Sequence, residues 1–325
     1  MSSICLMNQL ETRLRGEANS YMSLKKLKNN KLVLRMYIGY KKKMCSILTH
    51  IAPVTATKYV YKYNTGKRLN LKNPQTFNEK LQWLKLYGDE RLMIQCADKY
   101  RVREYVEGKG CPEILNELYG VYDSAEQIDF STLPTSFVLK TTDGCGTNII
   151  CKDKSELDED AVRQKLRYWM THKYGWETAE IQYLRIKPKI ICEKIIETSD
   201  GTLPNDFKFF CFNGEPKFFY YGYDRENGFK KLHCDLEWNV IDITKEKATL
   251  SPTEDMKPSC FDEMIRYARV LSQGIPFVRV DFYDSNGKVV FGEMTFTPTA
   301  GMSEIYTEEA ALEMGKMIQL PIEGK

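Results

Sequence analysis

The stretch from Pro276 to Met302, PFVRVDFYDSNGKVVFGEMTFTPTAGM, constrains the fold more than any other part of the chain. Two apolar runs with a period of two flank Asp284-Ser285-Asn286-Gly287, a pattern that predicts a β-hairpin. Strand side chains alternate, so Val278, Val280 and Phe282 share one face and Arg279, Asp281 and Tyr283 the other. On the second strand Glu293 and Thr295 share a face. A two-residue turn at Asn286-Gly287 would pair Asp281 with Gly292 and send Glu293 to the opposite side. A three-residue loop, Ser285-Asn286-Gly287 with its glycine left-handed, pairs Arg279 with Glu293 and gathers all three charges on one face. That loop is the expectation. Taken alone, the charged face also suits an antiparallel pair with one side in water.

A chain of 325 residues exceeds one average domain, and its 42% hydrophobic and 28% charged content is that of a globular protein. It contains no apolar run of about 18 residues and no signal-peptide order at its start, so a cytoplasmic location is expected. Ten cysteines are scattered without a C-x-x-C pair, as reduced thiols inside apolar runs would be, and three distant histidines argue against a zinc site. Charge is unevenly spread. Residues 1–70 carry 14 Lys/Arg against Glu11 and Glu17, leaving 33 bases and 42 acids beyond them. Residues 1–69 therefore form a basic helical arm and linker, with Lys41-Lys42-Lys43 following an apolar patch, suited to a membrane surface or another polyanion. No nucleic-acid partner is expected.

Further along, Pro53 and the polar stretch from Tyr63 to Pro74 read as linker, and Thr76-Phe77-Asn78-Glu79 opens a helix with a capping box. A second helix from about Ala97 to Glu107 carries Asp98-Lys99 at its start. Phe137–Lys140, the loop Asp143-Gly144-Cys145-Gly146-Thr147-Asn148, and Ile149–Cys151 read as strand, glycine loop, strand. Lys140 ends the first strand beside that loop, an arrangement suited to phosphate oxygens, although a turn with a snorkelling lysine would look the same. Asp158-Glu159-Asp160 is a D-x-D such as glycosyltransferases use, but it lies in a first helical turn, where acids are favoured anyway. Asp206–Phe212 and Lys217–Tyr221 flank Asn213-Gly214 as a second hairpin with Asp206 and Lys208 on one face.

Taken in order, NPQTFNEKLQWLK, ADKYRVREYV, LPTSFVLKTTDGCGTNII, IICEKI, DFKFFCFNGEPKFF and RVDFYDSNGKVVFGEMTFTPTAG resemble the ATP-grasp superfamily. Within it the chain looks most like the TupA-like group, named for teichuronopeptide synthesis and found with bacterial surface-polysaccharide genes. The resemblance implies an α+β chain: a reduced N-terminal region over 70–135, then an ATP-grasp domain over 136–325. In that domain a smaller lobe (136–195) and a larger one (196–325) clasp ATP between antiparallel sheets. It implies that Lys99 and Lys140 contact the phosphates under a loop containing Asp143, Gly144, Gly146, Thr147 and Asn148. The adenine hinge would be Glu193, Lys194, Ile195 and Ile196, and Asp206 would hold the ribose, with Lys208 balancing charge nearby. Asp281, Glu293 and Thr295 would hold Mg²⁺, threonine standing where many relatives have asparagine. Arg279, with Lys140, would stabilise the transferred phosphoryl group. The implied activity is carboxylate–amine ligation on sugar-linked substrates at the inner face of the membrane. A glycosyltransferase or an ATP-dependent kinase of the same pathway is the alternative.

Overall fold

The computed structural model describes residues 45–321, except 173, 199–200, 224–227, 248–252 and 254–255. Most of the basic arm, with Lys41-Lys42-Lys43, lies outside the described residues. The expected linker begins as a helix: α1 (Pro53–Thr65) has Pro53 in its first turn, where a missing N–H costs nothing, and Gly66 stops it with φ 71°. Next, α2 (Phe77–Tyr87) starts on the capping box, with the Thr76 hydroxyl accepting from Glu79 N–H and the Glu79 carboxylate accepting from Thr76 N–H. The helix expected over Ala97 to Glu107 starts later, as α4 (Val102–Gly108), and a separate helix that the sequence reading did not place, α3 (Glu90–Ala97), precedes it. The break falls at Asp98, whose carboxylate accepts from Tyr100 and Arg101 N–H at 2.9 and 3.2 Å, and a side chain that bonds its own backbone competes with helix. Lys99 therefore sits in a tight turn.

Two antiparallel sheets follow. The first has the order β1 (Leu118–Tyr122), β4 (Ile190–Glu193), β2 (Phe137–Thr141), β3 (Asn148–Cys151), so it takes in a strand from before residue 136. Its Phe137, Leu139, Ile190 and Cys192 face α5 (Glu159–Thr171) in one apolar cluster with Val162 and Leu166. By alternation, Val138 and Lys140 on β2, and Ile191 and Glu193 on β4, face the other way. Asp158, from the D-x-D, caps α5 by accepting from Ala161 N–H at 2.9 Å.

The second sheet runs β7 (Lys230–Asp235), β6 (Glu215–Tyr223), β5 (Asp206–Phe212), β8 (Phe277–Ser285), β9 (Lys288–Thr295). Phe207, Phe209, Val278, Val280 and Phe282 pack against α7 (Phe261–Ser272) in the largest core cluster. The opposite face is divided. Phe210, Phe212, Phe218 and Phe277 are covered by Phe77 of α2 and Met314 of α8 (Glu308–Met317), whereas Lys208, Arg279 and Asp281 continue the same rows without an apolar cover. The alternating sequence DFKFFCF thus gives one strand a dry side and a side that is part core, part site.

The β8–β9 hairpin corrects the expected loop. Ser285 pairs with Lys288 across a two-residue turn, Asn286 at φ 56° and Gly287 at φ 80°, the left-handed pair that Asn-Gly favours because it matches strand twist. The odd residue sits inside β9: the register shifts so that Phe282 faces Phe291 and Asp281 faces Glu293, leaving Gly292 as a β-bulge. A Cβ at Gly292 would lie 3.0 Å from the Asp281 carbonyl oxygen and from the Tyr283 ring, so the bulge needs glycine for space. Arg279 pairs with Thr295 instead of Glu293. The one-face arrangement stands, by a different device.

Candidate active site

On the second sheet the cross-strand pair Asp281/Glu293 and the next same-face pair, Arg279/Thr295, form a compact charged cluster. Arg279 donates through Nε and Nη2 to both carboxylate oxygens of Asp281 at 2.7 Å, and through Nη2 to Glu293 Oε1 at 2.9 Å and Thr295 Oγ1 at 3.0 Å. Lys208, facing Asp281 from β5, donates to its Oδ2 at 2.6 Å and lies 3.1 Å from Asp206. The Asp281 side chain is 2% exposed and that of Glu293 46%, so one carboxylate is sealed and the other opens on a cleft. Burial disfavours both cations, yet Asp281, joined by Glu293 at Arg279 and by Asp206 at Lys208, outweighs it and keeps the two pKa values above their ordinary ranges. Burial also disfavours ionised Glu293, but Arg279, then Lys208 and Lys99, hold its pKa down at about 2.

The first sheet supplies the facing wall. Lys140 Nζ donates to Glu193 Oε2 at 2.7 Å, across the β2–β4 ladder, and Glu193 raises the lysine pKa despite its burial. The loop after β2 folds back on Lys99, which donates from Nζ to the Gly144 carbonyl and whose N–H donates to Thr142 O at 3.2 Å. Burial lowers the Lys99 pKa. Gly146 has φ 73°, a left-handed value that lets the loop turn without a side chain in the way.

The structure brings Lys99, Lys140, Gly146, Thr147, Asn148, Glu193, Ile196, Lys208 and Glu293 onto the wall of a single cleft between the sheets. Asp281, Arg279 and Thr295 lie immediately behind Glu293 and Lys208, and Gly144 is held by Lys99. Asp143 and Ile195 are buried and do not line it. Lys194 turns away, its N–H donating to Glu117 O and its carbonyl accepting from Asn116. Asp206 is buried beside Lys208 and is likewise off the cleft wall.

Sequence reasoning gave no site role to Arg103, Tyr283 or Phe291. Arg103, from α4, lies 3.5 Å from Glu193 Oε1 and donates to Asn116 O at 3.0 Å, so Glu193 is flanked by two cations. Tyr283 and Phe291 also line the cleft. Tyr283 was already placed on the charged face by alternation; Arg103 and Phe291 had no signal beyond a helix charge and a strand aromatic.

A metal test follows from donor chemistry. Asp281, Glu293 and Thr295 offer hard oxygens on one face, which fits Mg²⁺. Among the described residues no group of three or more His, Cys, Asp or Glu side chains could hold a metal ion, so two carboxylates need ligands from elsewhere, such as phosphate oxygens.

A family model described as TupA-like ATP-grasp matches residues 79–319, about three quarters of the chain. The chain belongs to the TupA-like ATP-grasp family. The matched span holds every residue of the cleft named above. Solved structures similar to it include a D-alanine–D-alanine ligase from Bacillus anthracis (12% identity, TM-score 0.41, covering 69% of this chain and 64% of that one). An L-amino acid ligase from Bacillus licheniformis is another (15% identity, TM-score 0.40, 70% and 50%). This ATP-grasp chain thus spans under two thirds of the length of either. No curated protein sequence matches it. Among the described residues no helix is long and apolar enough to cross a membrane.

Proposed function

We propose that this chain is an ATP- and Mg²⁺-dependent carboxylate–amine ligase. ATP phosphorylates a carboxylate, and an amine then displaces phosphate from the acyl phosphate to leave an amide. One observation carries the reading: across a single cleft, Lys99, Lys140 and a glycine loop face Glu293, with Arg279, Asp281 and Lys208 directly behind it. Phosphoryl transfer asks a protein mainly for positioning and charge neutralisation, and that is what these groups offer.

In this reading Lys99 and Lys140 neutralise phosphate oxygens, and the loop through Gly144, Gly146, Thr147 and Asn148 presents backbone amides to them. Glu193 orients Lys140 while Arg103 shares its charge. The backbone around Glu193 to Ile196 would receive the adenine, and Lys208, held from behind by buried Asp206, would lie at the ribose end. Asp281, Glu293 and Thr295 would hold Mg²⁺, which would supply Lewis-acid neutralisation of phosphate charge. Arg279 is placed to stabilise charge on the transferred group. The family likeness is what points to a sugar-linked acid or amine of a bacterial surface glycan, and the charge of the basic arm to a contact with the inner face of the membrane or another polyanion.

The test is incubation with ATP, Mg²⁺ and panels of acids and amines, assaying ADP and phosphate. ADP with free phosphate only when both an acid and an amine are present supports the ligase. A stable phosphorylated product would replace it with a kinase, and no ATP binding by calorimetry would remove both.

A further inference from the structure

Away from the nucleotide cleft, one lysine and one glutamate are buried together. Lys85, in the last turn of α2, is 4% exposed and Glu180, before the short helix α6 (Ile181–Leu184), is 2% exposed. Lys85 Nζ donates to Thr178 O at 3.2 Å. Both Glu180 oxygens accept a hydroxyl, Oε1 from Thr297 at 2.6 Å and Oε2 from Thr178 at 2.7 Å. Gln182 Nε2 adds a bond to Thr297 Oγ1 at 3.2 Å. Burial lowers the Lys85 pKa to about 8 and raises that of Glu180, each opposed by the other's charge.

Two residues beyond Thr297 the backbone becomes unusual. Thr299, Ala300 and Gly301 follow one another with φ of 52°, 55° and 67°, left-handed values that two non-glycine residues keep only under external constraint. Gln82, one turn before Lys85 on α2, clamps the same segment by donating from Nε2 to the Ala300 and Gly301 carbonyls at 2.8 Å. Thr297 is four residues beyond Glu293. Tyr183 donates its N–H to the Glu180 carbonyl at 3.2 Å, and its ring meets that of Tyr174 edge-on at 4.9 Å. Tyr174 also packs on Gly144 of the glycine loop, where an added Cβ would meet it at 3.1 Å. The buried pair is therefore joined to the end of the cleft where the loop and Glu293 meet.

Apolar residues would stabilise such a position as well as two buried charges do, since desolvating the charges offsets most of their attraction. Directional bonds to Thr178 and Thr297 are what the charged pair adds. We infer that Lys85 and Glu180 are positioning residues that fix the Thr299–Gly301 turn against the glycine-loop end of the cleft, and so set how the acid or amine meets ATP. The inference rests on the ligase reading for what the turn receives.

Thr297→Val removes the hydroxyl with little change of shape, and Thr297→Ser keeps it. In the full chain, Thr297→Val and Glu180→Gln should leave Mg·ATP affinity within about twofold by calorimetry. With the acid–amine pair found in the assay above, or water as acceptor, their ADP release should fall at least about tenfold in kcat at an unchanged KM for ATP. Hydrogen exchange of residues 298–303 should rise by on the order of tenfold in both, while Thr297→Ser behaves as wild type. Wild-type exchange and turnover in Thr297→Val, or equal impairment in Thr297→Ser, would overturn the proposal. Loss of Mg·ATP binding in parallel with turnover would overturn it too, since the pair would then serve the nucleotide. Should the wild type bind no Mg·ATP at all, the ligase reading fails, and the exchange comparison alone decides whether the pair holds the turn.

Discussion

Neutralising Asp281 tests whether the charged half of the second sheet is one self-compensating unit. Asp281→Asn keeps the shape but points an amide at two cations that now hold a carboxylate at 2.6 to 2.7 Å. Removing one partner of a buried ion pair costs about 3–5 kcal/mol when the other is left uncompensated. Here compensation is partial, because Arg279 keeps Glu293 at 2.9 Å and Lys208 keeps Asp206 at 3.1 Å. The lower end, about 3 kcal/mol, is therefore expected. A domain of this size loses roughly 2–4 °C of melting temperature per kcal/mol, so the midpoint should fall by about 6–12 °C. Urea unfolding followed by tryptophan fluorescence should show a lower midpoint with an unchanged slope. Asp262→Asn, at a side chain 90% exposed, serves as the control and should leave the midpoint where it is. If Asp281→Asn matches that control, or is more stable than wild type, water satisfies these cations and the unit described here does not exist.

Three further outcomes are expected. Because Arg279 and Lys208 already neutralise Asp281, calorimetry with Mn²⁺ alone should show no binding in the wild type and clear binding once ATP is added; tight binding of the ion alone would refute this ordering. Gly292→Ala should destabilise the chain by about 1–3 kcal/mol through overpacking against the Asp281 carbonyl and Tyr283, and abolish Mg·ATP binding; an unaltered titration would show that the bulge is dispensable. Buried His233 has its pKa lowered to about 4, by burial first and Lys231 second. The unfolded chain thus binds more protons between pH 6.5 and 4, and stability present above pH 6.5 is lost on acidification through that window, by about 2 kcal/mol at pH 5. His233→Gln should flatten that loss in urea midpoints taken at pH 7.5 and 5.

How much of this was legible beforehand depended on which force decided each element. Alternation placed Arg279, Asp281 and Lys208 correctly, since a period of two leaves no freedom about faces once a strand is granted. The capping box at Thr76 marked the start of α2 for a similarly local reason. Where two local devices compete, the sequence did not choose between them: the odd residue of the hairpin suited either the turn or a bulge, and only packing against Tyr283 shows why Gly292 takes it. Asp98-Lys99 read as a helix start, but the Asp98 carboxylate bonds its own backbone and the helix begins only at Val102. Arg103, Lys85 and Glu180 were beyond reach because their partners are distant in the chain, and a charged residue on a helix ordinarily faces water.

The bulge at Gly292 also separates the tip of the hairpin from its working end. The chain reverses at Asn286-Gly287, yet the facing of Asp281 and Glu293 is decided five residues later, next to the carboxylates themselves. Lengthening both arms by one paired residue beyond the bulge would move the tip outward and leave the charged cluster in place. Deleting Gly292 would instead turn Glu293 and Thr295 toward α7 while the turn stayed as it is. A substitution is thus cheap at the exposed tip and costly at one half-buried glycine.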